Sequence, residues 1–275
     1  MVKVDKGRML YAFIILLIAV GGWYITRKDE AHGVLGLSPC SGTLTVLYDN
    51  YPYDQSCQSE WGFSCLIETE EMTVLFDNGG EAGVLAHNIE ALDVDLSSVD
   101  CVVISHEHWD HVGGLSVILD ERPGIPVYVP DLVPYHVKSN IRSMGGEVVE
   151  TDNSTVLSAG IAITSVHRRN VPEQALMICT DEGTILVTGC SHPGVENFAL
   201  EAAEALESEI RLVIGGFHLG SATEFILSGI IDGFDEAGVQ NIAPTHCTGD
   251  NSIGYLREHY GDHFIEVGAG FRLEF

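Results

Sequence analysis

The 275-residue chain sets 40 Asp plus Glu against 13 Lys plus Arg, a formal charge of −27, with a hydrophobic fraction of 45%. That fraction supports a substantial core. The charge disfavours nucleic acid as a partner, because phosphates are repelled from most of such a surface, and leaves a small-molecule substrate as the expected partner. The carboxylates are dispersed and form no long block, so they read as solubility rather than as an interaction tail.

From the N-terminus, Met9–Ile25 is an uncharged run of 17 residues, near the lower limit for spanning a bilayer core. Lys3, Lys6 and Arg8 precede it, and Arg27 and Lys28 follow with Asp29 and Glu30 offsetting them. This bias favours a cytoplasmic N-terminus, a transmembrane helix and a membrane-anchored domain facing outward. The alternative is a secreted protein after signal cleavage near Ala19-Val20-Gly21. The expected organisation is a leader over 1–30, a linker over 31–42 and one globular domain over 43–275.

Beyond the linker, short apolar strands are expected at Thr43–Tyr48, Ser64–Ile67 and Thr73–Phe76, then a helix from Gly79 through Leu92. A buried strand at Cys101–Ser105 and a helix near Gly113–Leu119 follow. Further strands are expected at Val127–Val129, Ile161–Val166, Ala175–Cys179, Ile185–Val187, Leu212–Ile214, Asn241–Ala243 and Phe264–Val267. Helices alternate with them at Pro134–Met144, Val195–Glu207, Thr223–Ala237 and Ser252–His259. Hairpin-like strands first and strand–helix alternation later suit an α/β (α+β) fold, an αββα sandwich of two mixed sheets with helices outside. A doubly wound dinucleotide fold is the competitor, but Gly79-Gly80 and Gly215-Gly216 make no GxGxxG turn.

Seven cysteines without a CxxC pair give no zinc ribbon or thioredoxin motif. Cys65, Cys101 and Cys179 sit in apolar runs and read as core, whereas Cys40 and Cys57 could pair in an oxidising compartment.

The chemistry concentrates in Ser105-His106-Glu107-His108-Trp109-Asp110-His111, directly after an apolar strand. On extended chain His106 and His108 project to one side and can chelate one cation, while Asp110 and His111, where the chain turns toward a helix, can face a second. Three other apolar strands each end just before a histidine: His192, His218 and His246. Ligand sites in layered α/β folds gather beyond strand ends, so these residues can converge. His32, His87, His136, His167, His259 and His263 lack that placement and read as surface or locally satisfied residues.

The HEHWDH stretch resembles the HxHxDH motif of the metallo-β-lactamase superfamily. Asp49-Asn50, Glu60–Glu68, Leu75–Gly80, Glu173–Leu176, Thr188–Gly194, Gly215–Leu219 and Pro244–Gly249 look more narrowly like the branch of archaeal dihydropterin–aminobenzene-phosphate synthases. The resemblance runs from about Thr43 to the C-terminus. It implies the metallo-β-lactamase type of αββα sandwich, with His106, His108 and His192 on one metal and Asp110, His111 and His246 on the other. Asp77 would then accept a hydrogen bond from a ligand imidazole. Where many relatives carry a bridging Gly-Asp, this chain has Gly189-Cys190, so Cys190 is either a thiolate ligand or a small buried residue. His218 resembles in position a proton-donating histidine of the superfamily's tRNA-processing nucleases; a polar residue set back from the metals and their partners, or an extra ligand, is the alternative.

The leading expectation is hydrolysis of a small, anionic ester, lactone or phosphoester, with two Zn2+ ions, or Mn2+ or Fe in the same ligands, activating water that Asp110 orients. The narrower resemblance implies instead a synthase transferring a diphosphate-activated pterin-type group to an aromatic amine. An iron-dependent oxidoreductase and a non-catalytic membrane-tethered binding protein are further alternatives. The full ligand set argues against the last, since unused buried imidazoles and carboxylates are costly to desolvate.

Overall fold

The computed structural model describes residues 34–275. The apolar run Met9–Ile25, expected as a membrane span, lies outside the described residues, among which no helix is long and apolar enough to cross a membrane.

Two sheets form the centre. The first contains β1 (Gly42–Asp49), β2 (Phe63–Thr69), β3 (Thr73–Phe76), β4 (Cys101–Val103), β5 (Pro126–Pro130), β6 (Glu147–Thr151) and β13 (Arg272–Glu274), in the order β13-β1-β2-β3-β4-β5-β6. The second runs β12-β11-β10-β9-β8-β7, with β7 Thr155–Val156, β8 Ile161–Ile163, β9 Leu176–Thr180, β10 Gly183–Thr188, β11 Ile210–Gly216 and β12 Val239–Thr245.

Period-two alternation dictates the layering. On β2, Phe63, Cys65 and Ile67 point between the sheets, where they meet Ile178, Ile185, Val187 and Ile214 of the second sheet. The intervening Leu66 joins Leu75 and Val102 on the outer face, against Leu85 and Ile89 of α1 (Ala82–Ala91) and Ile118 of α3 (Leu115–Glu121). The other outer face, including Met177, Leu186 and Val213, packs on Phe198 and Ala202 of α5 (Val195–Leu206) and on Leu227, Ile231 and Phe234 of α6 (Glu224–Glu236). The result is four layers, αββα. The remaining helices are α2 (Trp109–Val112), α4 (Tyr135–Ser143) and α7 (Asp250–Tyr260).

Several boundaries differ from the sequence-based expectation. The strand after Cys101 stops at Val103, because Ser105 N donates to the Asp77 carboxylate at 2.7 Å rather than to a neighbouring strand. β8 stops at Ile163, since Thr164 Oγ1 accepts from Ala175 N and interrupts the ladder. The helix expected near Gly113–Leu119 is α3, starting at Leu115; a separate turn, α2 (Trp109–Val112), precedes it, and Gly113-Gly114 lie between them, where a Cβ would strike the backbone of Gly80 or Asn78. Phe264–Val267 is no strand: Phe264 makes only an isolated bridge to Ile242. Cys40 and Cys57 are free, as are the other five cysteines. Cys40 Sγ lies 3.4 Å from Cys179 O beside the inter-sheet core, while Cys57 packs against the helix-covered outer face.

Candidate metal centre

The loops beyond the ends of β3, β4, β10, β11 and β12 carry the candidate residues. Parallel pairing brings the last three together: Thr188 is level with Gly215, and Gly216 with Thr245. Two donor groups result. His106, His108 and His192 offer donor atoms within 4.8 Å of one another, and so do Asp110, His111, Cys190 and His246. Within the first, His192 Nε2 is 3.2 Å from His108 Nδ1. Within the second, Asp110 Oδ2 lies 3.7 Å from His111 Nε2 and 3.4 Å from His246 Nε2, and Cys190 Sγ is 3.3 Å from His111 Nε2. The groups adjoin, with the His106 and His111 ring centroids 4.2 Å apart.

This donor chemistry fits divalent metal. His106 Nε2 is buried without a hydrogen-bond partner, and His246 Nε2 has the Asp110 carboxylate beside it at 3.4 Å; stranding a polar atom costs about 1–3 kcal/mol, and a cation beside His106 removes the cost. Electrostatics agree. Burial and the surrounding imidazoles hold His106 well below the ordinary histidine range, and burial with His218 and His108 drives His192 down to about 3, so these rings are neutral and have lone pairs to give. For Asp110 burial pulls upward, but His246 and His111 outweigh it and hold the carboxyl low.

Neighbouring polar groups fix the rings. Asp77 accepts from Ser105 N at 2.7 Å and Ser105 Oγ at 2.6 Å, and its Oδ2 stands 2.7 Å from His111 Nδ1. Burial alone would lower His111; the Asp77 charge reverses this and lifts it to about 9. His246 Nδ1 sits 2.8 Å from Asn50 Oδ1. Glu173, fully buried, accepts backbone N–H bonds from Cys190, Ser191 and His192 at 2.7–2.8 Å and so shapes the loop that presents His192. Burial pushes Glu173 up, to about 7, with those three bonds pulling back. The loops store backbone strain: Asp77, Ser191, His218 and His246 all have φ between 51° and 62°, which L-residues seldom adopt.

The structure therefore brings together His106, His108, Asp110, His111, Cys190, His192 and His246, with Asp77 beside His111. His218 is exposed at the edge, its ring 4.2 Å from that of His192. A hydrogen bond with Cys247 raises the His218 pKa. Burial pushes the Cys247 thiol up, yet Cys190 and His218 outweigh it and hold it well below the usual thiol range. Roles for Glu173, Asn50 and Cys247 were missed from sequence. Cys247 had a readable signal, since it follows its strand by the same two residues as Cys190 and His218; Glu173 and Asn50 act through tertiary contacts that no spacing encodes.

Comparison with known proteins agrees with this geometry. Residues 62–259 match the metallo-beta-lactamase superfamily. The chain is similar to the 7,8-dihydropterin-6-methyl-4-(beta-D-ribofuranosyl)-aminobenzene-5'-phosphate synthase of Methanocaldococcus jannaschii, 27% identical over 280 residues covering 84% of this chain and 95% of that protein. It is also similar to the solved structure of Tm1679, a metal-dependent hydrolase of the beta-lactamase superfamily, with TM-score 0.73 and 26% identity over 85% of this chain and 99% of that one. A diphosphatase of the PhnP family shares the fold alone, at TM-score 0.58 and 13% identity over 86% of this chain and 97% of that one. With its sheets, its helices and most of its length accounted for in this way, the chain belongs to the metallo-beta-lactamase superfamily.

Proposed function

We propose that residues 43–275 form a metal-dependent hydrolase acting on a small, anionic ester, lactone or phosphoester. The observation that carries it is the pair of adjoining donor groups, with a buried, unpartnered imidazole nitrogen, His106 Nε2, among them. His106, His108 and His192 would hold one cation, and Asp110, His111 and His246 the other, with Cys190 within reach of the second. Zn2+ suits this mixture of imidazole, carboxylate and thiol, and Mn2+ or Fe fits the His/Asp set. A divalent cation held there would lower the pKa of a water toward neutrality and offset negative charge on the attacked centre.

The chain's own residues supply the rest. Asp110, held ionised by His111 and His246, orients the attacking water through its carboxylate. Asp77 fixes the His111 ring, and Glu173 holds the turn beneath His192. His218, exposed at the rim and with its pKa raised by Cys247, is positioned to give a proton to a departing group. Trp61, its ring 4.9 Å from His246, and Trp109 are exposed near the donors and offer flat apolar surface for a small substrate. The leader before the domain would anchor it to a membrane, with the domain facing outward.

The similarity to the synthase over 95% of that protein's length favours a second reading, transfer of a diphosphate-activated group to an aromatic amine. A panel of phosphodiester, lactone and pterin substrates separates the two. Hydrolysis of an ester or phosphoester should fall at least about 100-fold in His108→Ala, the upper end of what losing a ligand's supporting partner costs. Full activity in that variant, or turnover only with an amine acceptor, would reject the hydrolase.

A further inference from the structure

Cys190, His218 and Cys247 stand at equivalent places. Each lies two residues past the end of its strand, on β10, β11 and β12, which neighbour one another in parallel. We propose that these three residues form an additional cation site, a Cys2His set selective for a thiophilic ion such as Zn2+ or Cd2+ and separate from the two His/Asp groups except for sharing Cys190; an ion there takes the His218 ring nitrogen and so competes with its use as a proton donor.

Four observations carry it. The two Sγ atoms and one His218 ring nitrogen all lie within 4.8 Å of one another. A tetrahedral zinc with Zn–S about 2.3 Å and Zn–N about 2.0 Å spaces its donors roughly 3.5–3.8 Å apart, so little movement closes the set. Second, Cys65 and Cys101 belong to the apolar cluster between the sheets, but the buried Cys190 and Cys247 belong to none of the three apolar clusters. Third, the strand end beneath them is closely packed: a Cβ at Gly216 would come within 2.4 Å of Gly189 O and 2.7 Å of Cys247 Sγ, so a glycine there lets the neighbouring strand end and the thiol approach. Fourth, His218 takes a left-handed backbone, φ 54°, unusual for a non-glycine residue, and with it stands beside two sulfurs.

The donor set also defines what binds. Two thiols and one imidazole select against Mg2+, Ca2+ and Mn2+, which prefer oxygen, and for Zn2+, Cd2+ or Cu+. Both cysteines are buried while His218 is exposed, so an ion can enter from the His218 side and keep one position open to solvent or to an added ligand. Cys190 Sγ also lies 3.3 Å from His111 Nε2, and a thiolate has lone pairs enough to bridge, so occupancy here would couple to the neighbouring Asp110/His111/His246 group.

The test is Cd2+ titration of the purified, reduced and metal-stripped chain, following the sulfur-to-cadmium charge-transfer absorbance together with bound Cd2+ per chain. The wild type should show a two-thiolate band. Cys247→Ser should lose about half of it and one equivalent of Cd2+, while the remaining equivalents report that the His/Asp groups still bind. Because a buried replacement can disturb folding, His218→Ala at an exposed position provides the second arm, and it should weaken retention of that equivalent more than about tenfold. Unchanged band and stoichiometry in Cys247→Ser, or unchanged retention in His218→Ala, would overturn the site. So would the absence of any sulfur-to-cadmium band in the wild type.

Discussion

Single side chains at this centre are set by burial first and by partners second, and Asp49 shows the order. It is fully buried, and burial pushes its carboxyl up to about 8 even though Tyr51 N and Thr245 Oγ1 donate to it. A carboxyl with a folded value near 8 and an unfolded value of about 3.9 binds its proton more tightly in the native chain. Its contribution to stability is therefore complete below about pH 4 and is lost as pH rises toward about 8. Urea unfolding of the metal-free chain should show stability falling across that window, and Asp49→Asn, which cannot ionise, should flatten the slope. An equal slope in both proteins would show that Asp49 ionises freely. The same precedence explains why a neutral His106 and an elevated His111 stand side by side: both are buried, but only His111 faces Asp77.

At the scale of elements, the loop after β10 depends on one carboxylate from elsewhere in the chain. Glu173 takes the N–H groups of three consecutive residues, Cys190, Ser191 and His192, at a place where Ser191 is in a left-handed conformation. Glu173→Gln keeps the size but turns an amide N–H toward at least one of those donors. It should cost about 1–3 kcal/mol in denaturant unfolding and lower metal affinity about 10–100-fold, read by competition with a chelator; wild-type values for both would remove Glu173 from the support of the loop. Elements of this kind mark the limit of what sequence shows. β1 to β3, β9 to β12 and the four longest helices were readable from apolar periodicity because each buries one face against a neighbour. β6, with Glu147 and Glu150 exposed, and the short β7 and β13 lie at or near sheet edges, where polar residues mask alternation. The convergence of His192 and His246 on residues 106–111 was readable too, because strand ends collect loops; Asn50 on His246 and Glu173 under His192 arise only from tertiary packing.

The whole molecule presents a net charge of −27 around a centre whose own donors would be offset by cations. Long-range repulsion acts on an approaching anion at low ionic strength, where the screening length is about 30 Å at 0.01 M, and largely vanishes at about 8 Å in 0.15 M salt. The kcat/KM for an anionic substrate should therefore rise with salt over that range while that for an uncharged ester stays flat; a fall with salt would mean that positive charge at the centre dominates the encounter.

Equilibrium dialysis of the metal-stripped chain against Zn2+, beside His108→Ala and His246→Ala, tests the two donor groups most directly. Each variant should take up one equivalent fewer than the parent, because each removes one member from a different group. Uptake in both variants equal to the parent's, in number and in affinity, would mean that the clustered imidazoles hold no metal.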